Sequence, residues 1–269
     1  MISFLGTKLW KDVNSGIVKV PDEDLQAEMY DLTVKKLADF GLNRYEVSNF
    51  SRDVTSQCKH NKGYWNGHDY IGLGPGAHSR FRPIFNNALS QEIAAYAMRG
   101  RQRDYVFGGR VQSVRQIENN IRDARIQTLE PERWMREVEI VGHGTRKIDP
   151  LSPKDVLSEL FATSLRTDIG LTEKIWLYKL CEISIHSKNF IQNIDKLTLK
   201  SIVECDEKCK KFLDNGTLIL SGDNNLKMSQ SGVKYLDHVT PYLLNCLDKR
   251  IEQLVSKKKN FSGLLHNTC

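Results

Sequence analysis

The stretch HDYIGLGPGAHSRF, residues 68–81, limits the fold more than any other part of the chain. Its apolar start reads as a buried strand, and the glycines at 72, 74 and 76 read as a tight turn. A strong helix signal precedes it. Pro21 opens the signal, Asp22, Glu23 and Asp24 sit where carboxylates favour a helix N-terminus, and Leu25, Met29, Leu32 and Leu37 supply the apolar spacing. Gly41 stands where a left-handed cap would end the helix, and NRYEVSNF (43–50) reads as one short strand with Tyr45 and Val47 on the same face. Helix, strand, loop and strand in that order predict α/β layering.

The rest of the chain has a different character. Residues 82–121 are rich in Asn, Gln, Arg and Gly, with one brief helical pattern around Ile93–Met98, and read as a long surface insertion. Residues 122–150 form a connector with a helix beginning at Pro131. From Ser152 the pattern is helical: Ser152 and Asp155 make a capping signature ahead of Val156, Leu157, Leu160 and Phe161. A helix over Ile202–Leu213 should end at Asn215-Gly216, and TLILSGDNNLKMS reads as a hairpin. A last helix should run from about Gly232 toward Val255, kinked or split by Pro241. Helices, a hairpin and another helix outline a winged-helix-like module over 151–269.

Composition narrows the function classes. At 269 residues and 40% hydrophobic, the chain can bury a normal core, and its apolar runs fall far short of a bilayer span, so a soluble protein is expected. The net charge of +6 favours an anionic partner, and the excess gathers at Arg99–Arg125 and Lys257–Lys259. Either tract also reads as a solvated face. The six cysteines are spread along the chain and make no disulfide framework, so a reducing compartment is expected. The start, MISFLGTKLWKD, has the bias of neither a signal peptide nor a mitochondrial presequence.

Several motifs could carry chemistry. Gly72, Gly74, Pro75 and Gly76 could let a ligand approach the backbone or could simply close a turn, and Ala77 stands where a dinucleotide fingerprint needs a glycine. Cys205 and Cys209 would share a helix face, but no further ligands follow at zinc spacing, so they read as ordinary small hydrophobes. The helix that carries them bears mixed charge, which argues against nucleic acid. CKHNKGYW (58–65) places Cys58, His60, Asn61, Tyr64 and Trp65 within eight positions, on no single helical or strand face. His60 could ligate a metal or be merely structural.

YEVSNF (45–50), CKHNKGYW and DYIGLGPGAHSRF (69–81) closely resemble the C-terminal part of the radical S-adenosylmethionine (SAM) barrel of HemW-like heme chaperones, relatives of the oxygen-independent coproporphyrinogen III oxidases. RDARIQTLEPERWMREVEIVGHGTRK (122–147) and SLRTDIGLTEKIW (164–176) resemble the family's animal mitochondrial branch. The resemblance implies a partial (β/α) barrel in 1–81 followed by a helical, winged-helix-like domain. It implies heme binding and delivery to acceptor proteins, with HNxxYW met by His60, Asn61, Tyr64 and Trp65. His60 would face the iron, Tyr64 and Trp65 would shape the porphyrin contact, Cys58 is a secondary ligand, and Asn61 would orient the loop. The turn Gly72–Gly76 would lie at the barrel mouth, beside the family's SAM site. Mitochondrial location follows from the resemblance, with the cytoplasm open to this form.

The family's [4Fe–4S] cluster needs CxxxCxxC, and no such run occurs in this chain. The expectation is that Met1 falls inside the family's barrel, as in a splice variant or incomplete gene model, and that upstream exons encode the motif. Two rival readings remain: a porphyrin-related radical SAM oxidoreductase, and a nucleic-acid or protein adaptor built on the C-terminal module.

Overall fold

A computed structural model describes residues 7–82, 121–186 and 194–262, with no side chains described at 186, 194 and 255–262. The insertion read over 82–121, apart from its first and last residues, lies outside the described residues. So do the Ile93–Met98 pattern, the arginines from Arg99 to Arg115 and the side chains of Lys257–Lys259. Two compact units are divided between Gln57 and Cys58.

The first unit contains α1 (Lys8–Asn14), α2 (Glu23–Asp39), β1 (Asn43–Glu46) and β2 (Asn49–Ser51). The Asp22 carboxylate accepts from the Leu25 amide at 2.8 Å and starts α2, and Gly41 closes it with φ +74°. The single strand expected over 43–50 is a hairpin instead, with β1 and β2 antiparallel. Glu46 makes the turn: its buried carboxylate accepts from the Ser48 amide (2.8 Å) and from Asn49 Nδ2 (2.6 Å). The Tyr30 hydroxyl of α2 donates to the Val47 carbonyl at 2.9 Å and fixes the hairpin to the helix.

The second unit begins with α3 (Lys59–Trp65) and continues through β3 (His78–Phe81), β4 (Arg122–Gln127), α4 (Pro131–Val141) and β5 (Thr145–Leu151). The three strands form one antiparallel sheet in the order β3-β4-β5. The helices α5 (Pro153–Ser164), α6 (Glu173–His186), α7 (Leu199–Val203) and α8 (Glu207–Asp214) follow. After them come the hairpin β6 (Leu218–Leu220) and β7 (Leu226–Met228), and last α9 (Leu236–Ser262). Among the described residues every strand pair is antiparallel, whereas a (β/α) barrel is built from parallel pairs.

The core lies among α5, α6, α7, α9 and the hairpin. Leu157, Phe161, Trp176, Ile183, Ile202, Leu218, Leu226, Val239 and Leu243 are all essentially inaccessible. Trp176 donates its indole N–H to the Leu197 carbonyl at 2.7 Å, so burying this ring leaves no polar atom stranded. The capping box at Ser152 and Asp155 is present, and the hairpin pairs Leu218 with Met228 and Leu220 with Leu226.

One helix expectation is corrected, and of the kink or split expected at Pro241 the split does not occur. The helix expected over Ile202–Leu213 is broken at 204–206, because the Asp206 side chain caps a new helix by accepting from the Lys208 amide at 2.9 Å. Helix α9 runs through Pro241 without splitting. Pro241 lies early in the helix and removes only the bond to the Asp237 carbonyl. A 3-10 turn over Gly232–Tyr235 precedes it.

Candidate functional site

CKHNKGYW forms α3, with Cys58 at its N-cap and Asn66 at its C-cap. The sequence reading that its side chains share no face is corrected. His60 and Tyr64 stand four apart on one side of the helix, and the Tyr64 hydroxyl shares a 2.5 Å hydrogen bond with His60 Nε2. Their rings meet edge to face at 4.4 Å, and Tyr64 meets Tyr70 the same way at 4.2 Å.

These rings form one wall of a cavity of about 470 Å³, completed by Ile71, Gly72, Leu73, Ala77 and His78. That volume lies within the range of small-molecule sites, about 300–1,000 Å³. The buried strand expected at the start of DYIGLGPG is corrected as well. Ile71 and Leu73 are 69% and 86% exposed and form an apolar rim, and the strand of this segment is β3, after the glycines. Cys58, Asn61 and Trp65 are in or beside α3 but are not lining residues. Cys58 is exposed.

The glycine turn is shaped by its own contacts. A Cβ on Gly72 would stand 2.2 Å from the His78 carbonyl oxygen, and Gly74 and Gly76 take φ of +102° and +70°. The Gly72 amide donates to Ser79 Oγ (3.0 Å), the Gly76 amide to the Thr128 carbonyl (2.9 Å) and the Ala77 amide to the Gly74 carbonyl (3.2 Å). Two of those amides are taken up within the segment, and the Gly76 amide ties it to Thr128.

Sequence-distant side chains hold the far end of α3. Ser164 Oγ donates to the Trp65 carbonyl at 2.7 Å, Lys179 Nζ to the Gly67 carbonyl at 2.9 Å, and Arg122 to the His68 carbonyl. Behind Tyr70, Arg80 forks onto Glu159 through Nε and Nη2, at 2.9 to 3.1 Å. Burial pushes the Tyr70 phenol above its ordinary range, against the pull of the Arg80 guanidinium. Tyr70 therefore stays protonated at neutral pH.

Sequence reasoning missed His78 and Tyr70. Both flank the glycine turn, and only the Tyr70–Arg80 backbone pairing reveals that the turn folds them toward α3. The six cysteines, at 58, 181, 205, 209, 246 and 269, contain no CxxxCxxC run, so the residues of this chain do not fit the [4Fe–4S] cluster. Among the described residues no helix is long and apolar enough to cross a membrane.

No protein-family model matches the chain. The bovine radical S-adenosyl methionine domain-containing protein 1, mitochondrial, is 35% identical over 248 residues, which is 92% of this chain and 46% of that protein. The heme chaperone HemW of Mycobacterium tuberculosis is 44% identical over 73 residues, 27% of this chain and 18% of that one. A solved structure, the coproporphyrinogen III oxidase HemN of Escherichia coli, a radical SAM enzyme, is similar at TM-score 0.46 and 11% identity, over 85% of this chain and 42% of that one. The chain spans less than half the length of these relatives. It is a homologue of the animal mitochondrial radical SAM domain-containing protein 1 and of the HemW heme chaperones.

Proposed function

We propose that this chain binds heme at the α3 cavity and passes it to acceptor proteins, as a chaperone of the HemW type. The observation that carries the reading is the convergence of His60, His78, Tyr64 and Tyr70 with the apolar Ile71 and Leu73 on one open cavity. Imidazole and phenol are heme-iron ligands, and apolar rim residues suit a porphyrin face. His60 is the iron-facing residue, and it must release the Tyr64 hydroxyl to use Nε2. Trp65 and Asn61 in α3 and Cys58 at its N-cap stand outside that lining, and the proposal gives them porphyrin contact, orientation and a secondary ligand in turn.

The barrel is part of the same proposal. Helix α2 leaves Leu25, Met29 and Leu32 45 to 56% exposed, as a helix does when the sheet it covers is elsewhere. The parallel strands would then belong to the part of the relatives that this chain does not span. SAM and the cluster would be held by that same part, and mitochondrial location is carried over from the name of the bovine relative. An oxidoreductase reading lacks its cluster ligands in this chain.

The test is a heme titration of the purified chain and of His60→Ala. Weaker binding and a shifted Soret band in the variant support the assignment. Equal affinity with an unchanged band removes His60 as the ligand.

A further inference from the structure

We propose a second site, for a zinc ion, built from Asp206, Cys209 and Cys246 with Cys205 as the fourth ligand. Sequence reading set Cys205 and Cys209 aside because no partner followed at zinc spacing. The fold supplies one from 37 residues away: α9 brings Cys246 Sγ to 2.9 Å from Cys209 Sγ. An Asp206 oxygen and the two sulfurs all lie within 4.8 Å of one another. Cys205 lies outside that trio, its Sγ donating to the Cys246 carbonyl at 3.5 Å, and it must turn from that carbonyl to complete the shell.

The donor set selects the metal. Thiolates with a carboxylate suit zinc, whereas a copper(I) site would favour soft sulfur alone. Zinc ligands about 2.3 Å from the ion stand roughly 3.8 Å apart at the corners of a tetrahedron. Seating the ion therefore asks the close sulfur pair to separate by about 1 Å. The carboxylate is already oriented: one oxygen accepts from the Lys208 amide (2.9 Å), the other from Lys249 Nζ (2.9 Å). Each oxygen keeps a lone pair for a metal. Three thiolates and a carboxylate overbalance the charge of Zn²⁺, and Lys249 offsets part of the excess from outside the ligand shell.

Cys209 and Cys246 are 0% and 1% exposed, which shields the pair from thiols and disulfides in bulk solvent. Free thiols keep their protons at neutral pH until a metal displaces them. Zinc would displace those protons and tie α8 to α9, so its role is to hold the C-terminal helix in place.

The experiment uses the full chain, stripped of metal and kept reduced with a phosphine under anaerobic conditions. Co²⁺ is added as a spectroscopic probe and Zn²⁺ as competitor. The expected result is a saturable sulfur-to-cobalt charge-transfer band with tetrahedral d–d bands, displaced by Zn²⁺, and a higher melting temperature with Zn²⁺. Cys246→Ser should abolish the charge-transfer band, and Cys181→Ser should leave it. If Cys246→Ser fails to fold, the half-exposed Cys205→Ser and Asp206→Asn carry the test, each expected to alter the band. Absence of the band in the folded wild-type chain, a band indifferent to Cys205 and Asp206, or a Cys209–Cys246 disulfide persisting in the reductant overturns the proposal.

Discussion

Lys179 donates from Nζ to the carbonyl oxygen of Gly67 at 2.9 Å, joining positions 112 apart in sequence. The same ammonium pairs with Glu182 at 2.8 Å, and both side chains are nearly buried, at 4% and 8% exposure. One cation thus neutralises a buried carboxylate and secures the loop that leaves α3. Lys179→Ala should destabilise the chain by about 3 kcal/mol, because it leaves a buried charge and a buried carbonyl without their partner. Arg82, 3.5 Å from Glu182, holds the figure at the lower end of the range for broken buried pairs. Urea unfolding measures it, and a loss below about 1 kcal/mol, the scale of an exposed pair, would contradict the clamp.

The His60–Tyr64 hydrogen bond sets a second expectation. If Nε2 must leave the Tyr64 hydroxyl to meet iron, Tyr64→Phe removes a competitor worth about 1 kcal/mol. Heme should then bind roughly fivefold more tightly, with an unchanged Soret position. A tenfold weaker complex with a shifted band would instead make the phenol the ligand.

The sequence carries local signals better than long-range geometry. His60 and Tyr64 stood out through the resemblance to HNxxYW, whereas the residues alone left His60 open as a ligand or a structural histidine. Helix starts at Asp22, Pro131 and Ser152 were legible too, since each cap uses a side chain close in sequence. What could not be read were contacts made over long separations. Lys179 looks like any helix-surface lysine until Gly67 and Glu182 surround it. Cys246 carries no spacing signal, because only the packing of α9 against α8 brings it to Cys209. The break at Asp206 was hidden by a helical pattern that continues through it, while the buried Glu46 carboxylate turned one expected strand into a hairpin.

Asp53 should show a distinct acid titration. Hydrogen bonds from Thr55 Oγ1 and Ser56 Oγ, aided by the backbone amides of both residues, hold its carboxyl down at about 2. The folded value is depressed, so the turn over 53–56 gains stability from it above the unfolded carboxyl range near 4. That gain is lost as pH falls from about 4 through 2. Carboxyl carbon shifts followed by NMR should place the Asp53 midpoint well below those of ordinary aspartates. Asp53→Asn should remove that titration, and a midpoint near 4 in the wild-type chain would contradict the turn's hydrogen bonds.

Gly72→Ala tests whether the glycine turn shapes the cavity. The added methyl would stand 2.2 Å from the His78 carbonyl oxygen, a backbone atom that cannot swing aside as a side-chain end can. Relief requires the turn to open, which breaks the bond from the Gly72 amide to Ser79 Oγ and strains the Tyr70–Arg80 pairing. The cost should be about 1–3 kcal/mol, typical of overpacking at a site with little room to adjust. Tyr70 and His78 lie on either side of this turn and both line the cavity, so heme affinity should fall together with stability. Gly63→Ala supplies the contrast, because its Cβ would meet only His68 Nδ1 at an ordinary 3.8 Å. It should leave stability within about 0.5 kcal/mol or improve it slightly, since alanine favours the helix. Parallel urea unfolding and heme titrations of the two variants make the comparison, and equal behaviour would show that the turn does not shape the cavity.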